Sequence, residues 1–371
     1  MNPETGLELQ FFEPDNPLEN GHSARVLLLG GIDARSVAAL PKPSGELAAW
    51  FATHELRALS LLGAAEGEAG ATATLNWIAE IGGDVVSLAG LAGGSLPQIR
   101  LASGNAKLLG AGDTEAEAFR PAVLNIDDVR IGLLSVSERR AVGFDGRADI
   151  LHSMVYDRVR MLQAQCDHVI VFCHAGLPNA TLPLPEWRAR YRRFVDAGAS
   201  IVVGQPPSGI SGWEEYRNGL VFYGLGTLAN ERADAGCCSL AVSLALERNG
   251  RFRYETRLLE RTVDALQPSA DEAQKQAINQ TNALFFDEKA FLARSTELCC
   301  ETYDAWERET CATHGPNLGR GLLNALLPQS AEQARREDEA NLRALLENES
   351  LRLAVLRALA ARDAEKGGGH A

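Results

Sequence analysis

The chain has 371 residues, 46% of them hydrophobic and 23% charged, enough apolar length for one large domain with an appendage or for two domains. Its formal net charge of -13 disfavours nucleic acid and anionic membrane surfaces as non-specific partners. No apolar run is long enough for a transmembrane helix, and the first residues, Met1-Asn-Pro-Glu-Thr5, carry no basic and apolar signal pattern, so a cytoplasmic protein without membrane insertion is expected. The seven cysteines (Cys166, Cys173, Cys237, Cys238, Cys299, Cys300 and Cys311) show no C-x-x-C knuckle and read as reduced, mostly buried thiols.

Residues 1–22 mix Pro, Asn, Glu and Gly around Phe11-Phe12 and read as an extended arm. Val26-Leu-Leu-Leu29 is a first strand that runs into Gly30-Gly31, with Asp33 as the nearest carboxylate. Gly45 to Leu62 reads as helix then strand around Ala52-Thr-His-Glu55, and His54 reads as a surface or satisfied histidine. Thr74–Ile81 is an amphipathic helix, and Gly83 to Ala89 is a strand that runs into Gly90-Leu-Ala-Gly-Gly94. The glycines there free backbone N–H groups to face a ligand.

Ala122–Ile126 and Val129–Val136 alternate in polarity about Asp127-Asp128 and predict a hairpin. The cluster Glu138-Arg139-Arg140 that follows is a candidate grip for a carboxylate or phosphate, the alternative being a solvated strand end. Val169 to Cys173 is an apolar strand that delivers His174-Ala-Gly176. A helix over Glu186–Ala197, a strand Ile201-Val-Val203 and the tip Gly204-Gln-Pro-Pro-Ser208 come next. Trp213-Glu-Glu-Tyr216, a turn at Asn218-Gly219, and a strand Leu220–Tyr223 lead to Gly224-Leu-Gly-Thr227. Each strand brings a polar or glycine-rich tip to one sheet edge, where ligand sites of α/β folds gather. Cys237–Leu246 and Phe252–Leu259 form a second hairpin across Arg248-Asn-Gly250, and Pro268–Ala371 reads as helical to a disordered end at Lys366–Ala371.

The order His174-Ala-Gly, Asp196-Ala-Gly-Ala199, Gly204-Gln-Pro-Pro-Ser208, Glu214-Glu-Tyr216 and Gly224-Leu-Gly-Thr227 resembles the CapA family of poly-γ-glutamate and capsule synthesis proteins, with a metallophosphatase-like fold. The resemblance covers about residues 23–262. It implies a calcineurin-like αββα two-sheet sandwich with mixed strands, preceded by the arm 1–22 and followed by a helical subdomain, 263–371. Asn348-Glu-Ser350 loosely fits an element of the helical tail in such relatives.

The family's metal ligands are mostly replaced. Gly31 stands where the family has Asp, Gly90-Leu-Ala92 where it has Asn-Asn-His, Gln205-Pro-Pro-Ser208 where it has His-His-Pro-His, Thr227 where it has Asn, and Pro178 where it has Glu. His174 is retained, and Glu55 fits the pattern of Ala-Asn-Leu-Glu. Two divalent ions need a crowd of hard ligands, so no dinuclear centre and no cofactor are expected, with a single weak site through His174 and Glu55 left open. Two functions follow. The first is a binding protein of capsule, poly-γ-glutamate or peptide biosynthesis, holding a polymer, glycan or peptide with Gly90, Gln205, Thr227 and Arg139 and engaging a biosynthetic protein through its helical tail. The second is a metal-independent acid/base enzyme, a peptide epimerase or hydrolase, with His174 as the general acid/base, helped by Cys173, Gln205, Glu55 or Asp33.

Overall fold

The computed structural model describes residues 23–33, 42–63, 67–91, 99, 106–138, 144–205, 209–229, 238–262, 265–314, 340, 342–343 and 345–367. They form two compact units. The first runs to Ser137 and resumes from Phe144 to Phe286, and the second joins Glu138 to the chain from Asp287 onward.

The first unit is built on two sheets. In the larger one, β4 (Leu56–Gly63) lies parallel to β1 (Ser23–Leu28) and to β5 (Val85–Leu91), which pairs in turn with β6 (Lys107–Leu109). After Leu29-Gly30 the first strand continues as β2 (Gly31–Asp33). This broken strand serves two neighbours: β1 pairs with β14 (Cys238–Glu247), and β2 pairs with β13 (Thr227–Ala229). The sheet is completed by β15 (Phe252–Arg261), β16 (Ala265–Pro268) and β3 (Lys42–Pro43).

The second sheet has the order β11-β12-β10-β9-β8-β7. Its inner strands β8 (Val129–Ser137), β9 (His168–His174), β10 (Ile201–Gly204) and β12 (Gly219–Phe222) are parallel, and the edges β7 (Ala122–Ile126) and β11 (Trp213–Tyr216) are antiparallel. Parallel strands covered on both faces read as continuous apolar runs, and Val169-Ile-Val-Phe-Cys173 is one.

The period of two residues along β1 sorts the core. Val26 and Leu28 face the second sheet with Ile131, Ile170, Val203 and Phe222, while Leu27 and Leu29 face Leu47 and Phe51 of α1 (Gly45–Phe51) and Leu75 and Ile78 of α2 (Gly67–Glu80). After the short α3 (Glu115–Ala118), the outer face of the second sheet is covered by α4 (Val155–Gln163), through Val155, Val159 and Leu162, and by α5 (Pro185–Asp196), through Trp187, Tyr191 and Phe194. The layers are helix, sheet, sheet, helix, the expected αββα sandwich.

Three expectations are revised. α2 begins at Gly67, a full turn or more before Thr74. The segment after 262 is not helical throughout: Ala265–Pro268 is a strand that pairs with β15, and α6 (Glu272–Leu284) belongs to the first unit. The second unit carries α7 (Glu288–His314) and α8 (Glu349–Gly367). Glu138 is not a solvated strand end. It is 1% exposed and accepts hydrogen bonds from the backbone N–H and hydroxyl of Ser350, while Asn348 accepts from Leu351 N–H and caps α8. Among the described residues, no helix is long and apolar enough to cross a membrane.

Both residues of the β7–β8 turn have positive φ, 47° at Asp127 and 65° at Asp128, as a two-residue hairpin of this twist requires. Aspartate tolerates this conformation and glycine favours it, so Asp128→Gly is expected to raise stability by roughly 0.5–1 kcal/mol, read as a higher denaturation midpoint.

His54 is 4% exposed, and its ring nitrogens meet Trp50 O at 3.0 Å and Ser243 Oγ at 2.8 Å. Burial lowers its pKa to about 4, against backbone hydrogen bonds that pull the other way. The folded state therefore binds its proton more weakly than the unfolded chain. Its contribution is complete above pH 6.5 and is lost as pH falls towards 4, on the order of 3 kcal/mol in all. Denaturant titrations at pH 7 and pH 5 are expected to show a loss of stability that His54→Gln reduces.

Candidate functional site

The broken first strand brings Gly31 beside Thr227, its register partner on β13. The end of β5 brings Gly90 beside Leu62 on β4. From the second sheet, β9 ends in His174, paired in register with Ser137, and β10 ends just before Gln205. His174, Gln205 and Thr227 are 5%, 1% and 8% exposed. Gly31, Gly90, His174, Gln205 and Thr227 thus meet at one strand edge. Asp33 lies two residues beyond Gly31 on β2 and is buried.

Contacts at the two glycines define this edge. A side chain at Gly31 would begin 2.6 Å from Leu62 Cδ1 and 2.9 Å from Gln205 Nε2. One at Gly90 would begin 2.6 Å from Leu62 Cδ2, 2.8 Å from Leu61 O and 2.9 Å from His174 Nδ1. Real Cβ atoms do not approach neighbours so closely. Leu62 therefore packs under both glycines, and the amide of Gln205 fills the space beside Gly31 while donating from Nε2 to Gly226 O at 2.7 Å. Gln205 Oε1 and Thr227 Oγ1 are buried without a hydrogen-bond partner among the described residues. A cavity of about 10 Å³, room for about one water, is lined by Ala175, Gly176, Trp187, Tyr191 and Tyr223.

Glu55 stays outside this group. It precedes β4, seven residues before Leu62 and roughly 20 Å away along the strand, where its exposed carboxylate accepts Arg25 N–H at 2.7 Å. Arg139 and Cys237 lie outside the described residues. Cys173 is buried on the face of β9 opposite Phe172, and burial pushes its thiol well up, so it stays protonated.

The support for the edge is a buried ionic cluster that the motif reading treated as scaffold. Glu214 on β11 accepts Arg188 Nε and Nη2 at 3.2 and 2.9 Å, Arg192 Nε and Nη2 at 2.9 and 2.7 Å, and the Tyr223 hydroxyl. Arg188 also donates to Phe285 O at 2.8 Å. Burial alone would push the Glu214 carboxyl up, but the hydrogen bonds from Arg192, Arg188 and Tyr223 outweigh it and hold it below the ordinary range. Tyr223 stacks on Tyr191 at 5.7 Å, and Tyr191 donates to Ala175 O at 3.3 Å, directly after His174. The sequence signal for this cluster was arginine at i and i+4 on one helix with an acid on the second strand after it.

The dinuclear metal pair implied by the resemblance does not fit these residues. Two of the positions lack side chains and the space a ligand would enter holds Leu62. One imidazole, one amide and one hydroxyl do not balance two divalent charges. Among the described residues, no group of three or more His, Cys, Asp or Glu side chains stands close enough to hold a metal ion.

Residues 99–232 match the family model of the bacterial capsule synthesis protein PGA_cap. A 128-residue segment, 32% of this chain, is 26% identical to the capsule biosynthesis protein CapA of Bacillus anthracis, and the match spans 31% of that relative's length. Similar solved structures include a hypothetical protein from Thermus thermophilus (16% identity, 64% of this chain and 100% of that one, TM-score 0.46). A novel phosphatase from Mycoplasma pneumoniae (10%, 70% and 99%, TM-score 0.45) and a putative 5'-nucleotidase from Staphylococcus aureus (11%, 70% and 58%, TM-score 0.44) are similar too.

If Leu62 fills the place of the missing ligand side chains, Gly31→Asp is expected to destabilise by about 1–3 kcal/mol through overpacking. Leu62→Ala loses burial, yet the double variant is expected to be more stable than the two single losses added together, by about 1 kcal/mol of coupling. Urea denaturation of the four proteins in the cycle reads this; strictly additive losses would show that the two positions do not share space.

Proposed function

We propose, with the CapA-like central segment as premise, that this chain serves capsule-type polymer biosynthesis as a binding protein that has given up the dinuclear metal centre. The observation that supports this reading is the packing of Leu62 and Gln205 against Gly31, and of Leu62, Leu61 O and His174 against Gly90, where a side chain could enter only if these neighbours shifted. His174, Gln205 and Thr227 remain as the polar groups of the edge, with Gly90 as a bare stretch of backbone. They suit hydrogen bonding to a chain-like polymer, glycan or peptide rather than Lewis-acid chemistry.

The helical unit is assigned to a biosynthetic protein partner, a role supported by the exposed Leu346, Leu356 and Leu359. A cytoplasmic setting is supported by Cys166, Cys173, Cys238, Cys299 and Cys300, which form no disulfide.

Elemental mass spectrometry of the purified protein, counting Mn, Zn, Fe and Ca, tests the central claim. The expected result is below about a tenth of an equivalent, and two equivalents of a transition metal would return the chain to metal catalysis. A turnover that persists in excess chelator and vanishes in His174→Ala would instead make it a metal-free acid/base enzyme.

A further inference from the structure

The end of the second sheet away from His174 holds a surface cavity of about 410 Å³. Its walls come from three places: Asn125, Asp128 and Arg130 on the β7–β8 hairpin, Gln165, Cys166 and Asp167 on the connection from α4 to β9, and Arg248 on the β14–β15 turn. Since β9 runs from His168 to His174, the cavity lies roughly 20 Å from the edge described above. Local hydrogen bonds fix the walls. Asp167 Oδ2 accepts the Arg130 N–H at 2.7 Å, and the Asp167 N–H donates to Arg130 O at 2.9 Å, which clamps the connection onto β8. A ring nitrogen of His168 meets Glu247 O at 2.8 Å and brings the β14–β15 turn alongside β9. Within that turn Asn249 Nδ2 donates to Glu247 Oε2 at 3.0 Å, and Asn249 Oδ1 accepts the Arg251 N–H at 2.8 Å, so the segment that carries Arg248 is braced.

Two guanidiniums and two carboxylates line this cavity. Among the described residues, the side chains of Arg130, Arg248 and Asp128 make no hydrogen bond and no ion pair, and Asp167 has Oδ1 beyond the oxygen that the Arg130 N–H occupies. Arg130 and Asp167 both act on the Cys166 thiol: burial pushes its pKa up, Arg130 lowers it and Asp167 raises it, so the two charges stand beside the same sulfur. The carbonyl end of α4, at Gln163, adds negative potential on the side of Asp167. A guanidinium fork matches a carboxylate, and a carboxylate matches an ammonium. A plain anion would set its charge against Asp128 and Asp167, and a plain cation would set its charge against the arginines. A ligand that carries both signs suits all four groups, with the amides of Asn125 and Gln165 free to donate or accept. Two guanidiniums suit two carboxylates, and one ammonium suits a pair of aspartates.

We propose that this cavity binds a small zwitterion with two carboxylates, an acidic amino acid, whose carboxylates are held by Arg130 and Arg248 and whose ammonium is held by Asp128 and Asp167. The ligand lies against Cys166, and the cavity is large enough to keep bridging waters around it. The site shares no residue with the edge of Gly31, Gly90, His174, Gln205 and Thr227. It rests neither on the capsule-polymer reading nor on the state of the metal centre.

The test is protection of Cys166 from iodoacetamide on the full chain, read by peptide mass spectrometry at fixed ionic strength, with the equally half-buried Cys300 as internal control. L-Glutamate is expected to slow alkylation of Cys166 with a midpoint of about 0.1–5 mM and to leave Cys300 unchanged. Glutarate, which has both carboxylates and no ammonium, and inorganic phosphate should each need at least about threefold more. Arg130→Gln and Arg248→Gln, both at exposed positions, should each raise the glutamate midpoint by about threefold or more, while Lys42→Gln, the same change of net charge on an exposed lysine, should stay within about 1.5-fold. Midpoints are compared rather than rates, because Arg130 also acts on the thiol itself. Unchanged melting temperatures show that the variants fold, and the two arginines, on different sheets, test the site independently. The proposal is overturned if glutamate at about 50 mM leaves Cys166 unprotected, or if Cys300 is protected equally. It is also overturned if glutarate or phosphate matches glutamate, or if Lys42→Gln loses as much as the arginine variants. No metal and no turnover enter this readout, so its failure and that of the capsule-polymer reading are told apart.

Discussion

The buried carboxylate of Glu214 is the constraint on which the cleft side of the first unit depends. One anion takes four guanidinium N–H groups and a phenol, drawn from α5 and from the segment after β12. Through Arg188 the same cluster reaches the C-terminal end of α6 at Phe285. Breaking such a buried set by removing one partner commonly costs about 3–5 kcal/mol, because the charges that remain are stranded away from water. The aromatic pile of Tyr191, Tyr223 and Phe285 sits on this cluster and passes its rigidity to the backbone just after His174.

That rigidity makes the state of the neighbouring strand edge informative. Leu62 occupies the approach to both Gly31 and Gly90, and Gln205 spans from the end of β10 to Gly226 O ahead of β13. A side-chain amide thus links the two sheets at this edge. Gly204, just before it, allows this approach: a Cβ there would meet Tyr223 O at 2.4 Å.

Much of the fold was legible from the sequence by itself. Continuous apolar runs marked the inner parallel strands, Asp127-Asp128 and Arg248-Asn-Gly250 marked the hairpins, and the glycine-rich tips marked the strand ends that form the cleft. These are local properties, since side-chain period and turn chemistry act over a few residues. The convergence of Gly31, Gly90, His174, Gln205 and Thr227 followed from the order of strands and tips, and the structure brings all five to one edge.

Only the tertiary structure decided the rest. Glu55 followed a motif, but the direction of β4 carries it to the far end of the sheet. Glu138 stood in a charged cluster and is nevertheless buried against Ser350, a residue 212 positions away. Leu62 had no signal beyond being apolar, and its part in filling the edge depends on which strands lie on either side of it. In each case the deciding contact joins residues far apart in the chain, and its strength comes from desolvation and close packing that exist only after the sheets have assembled.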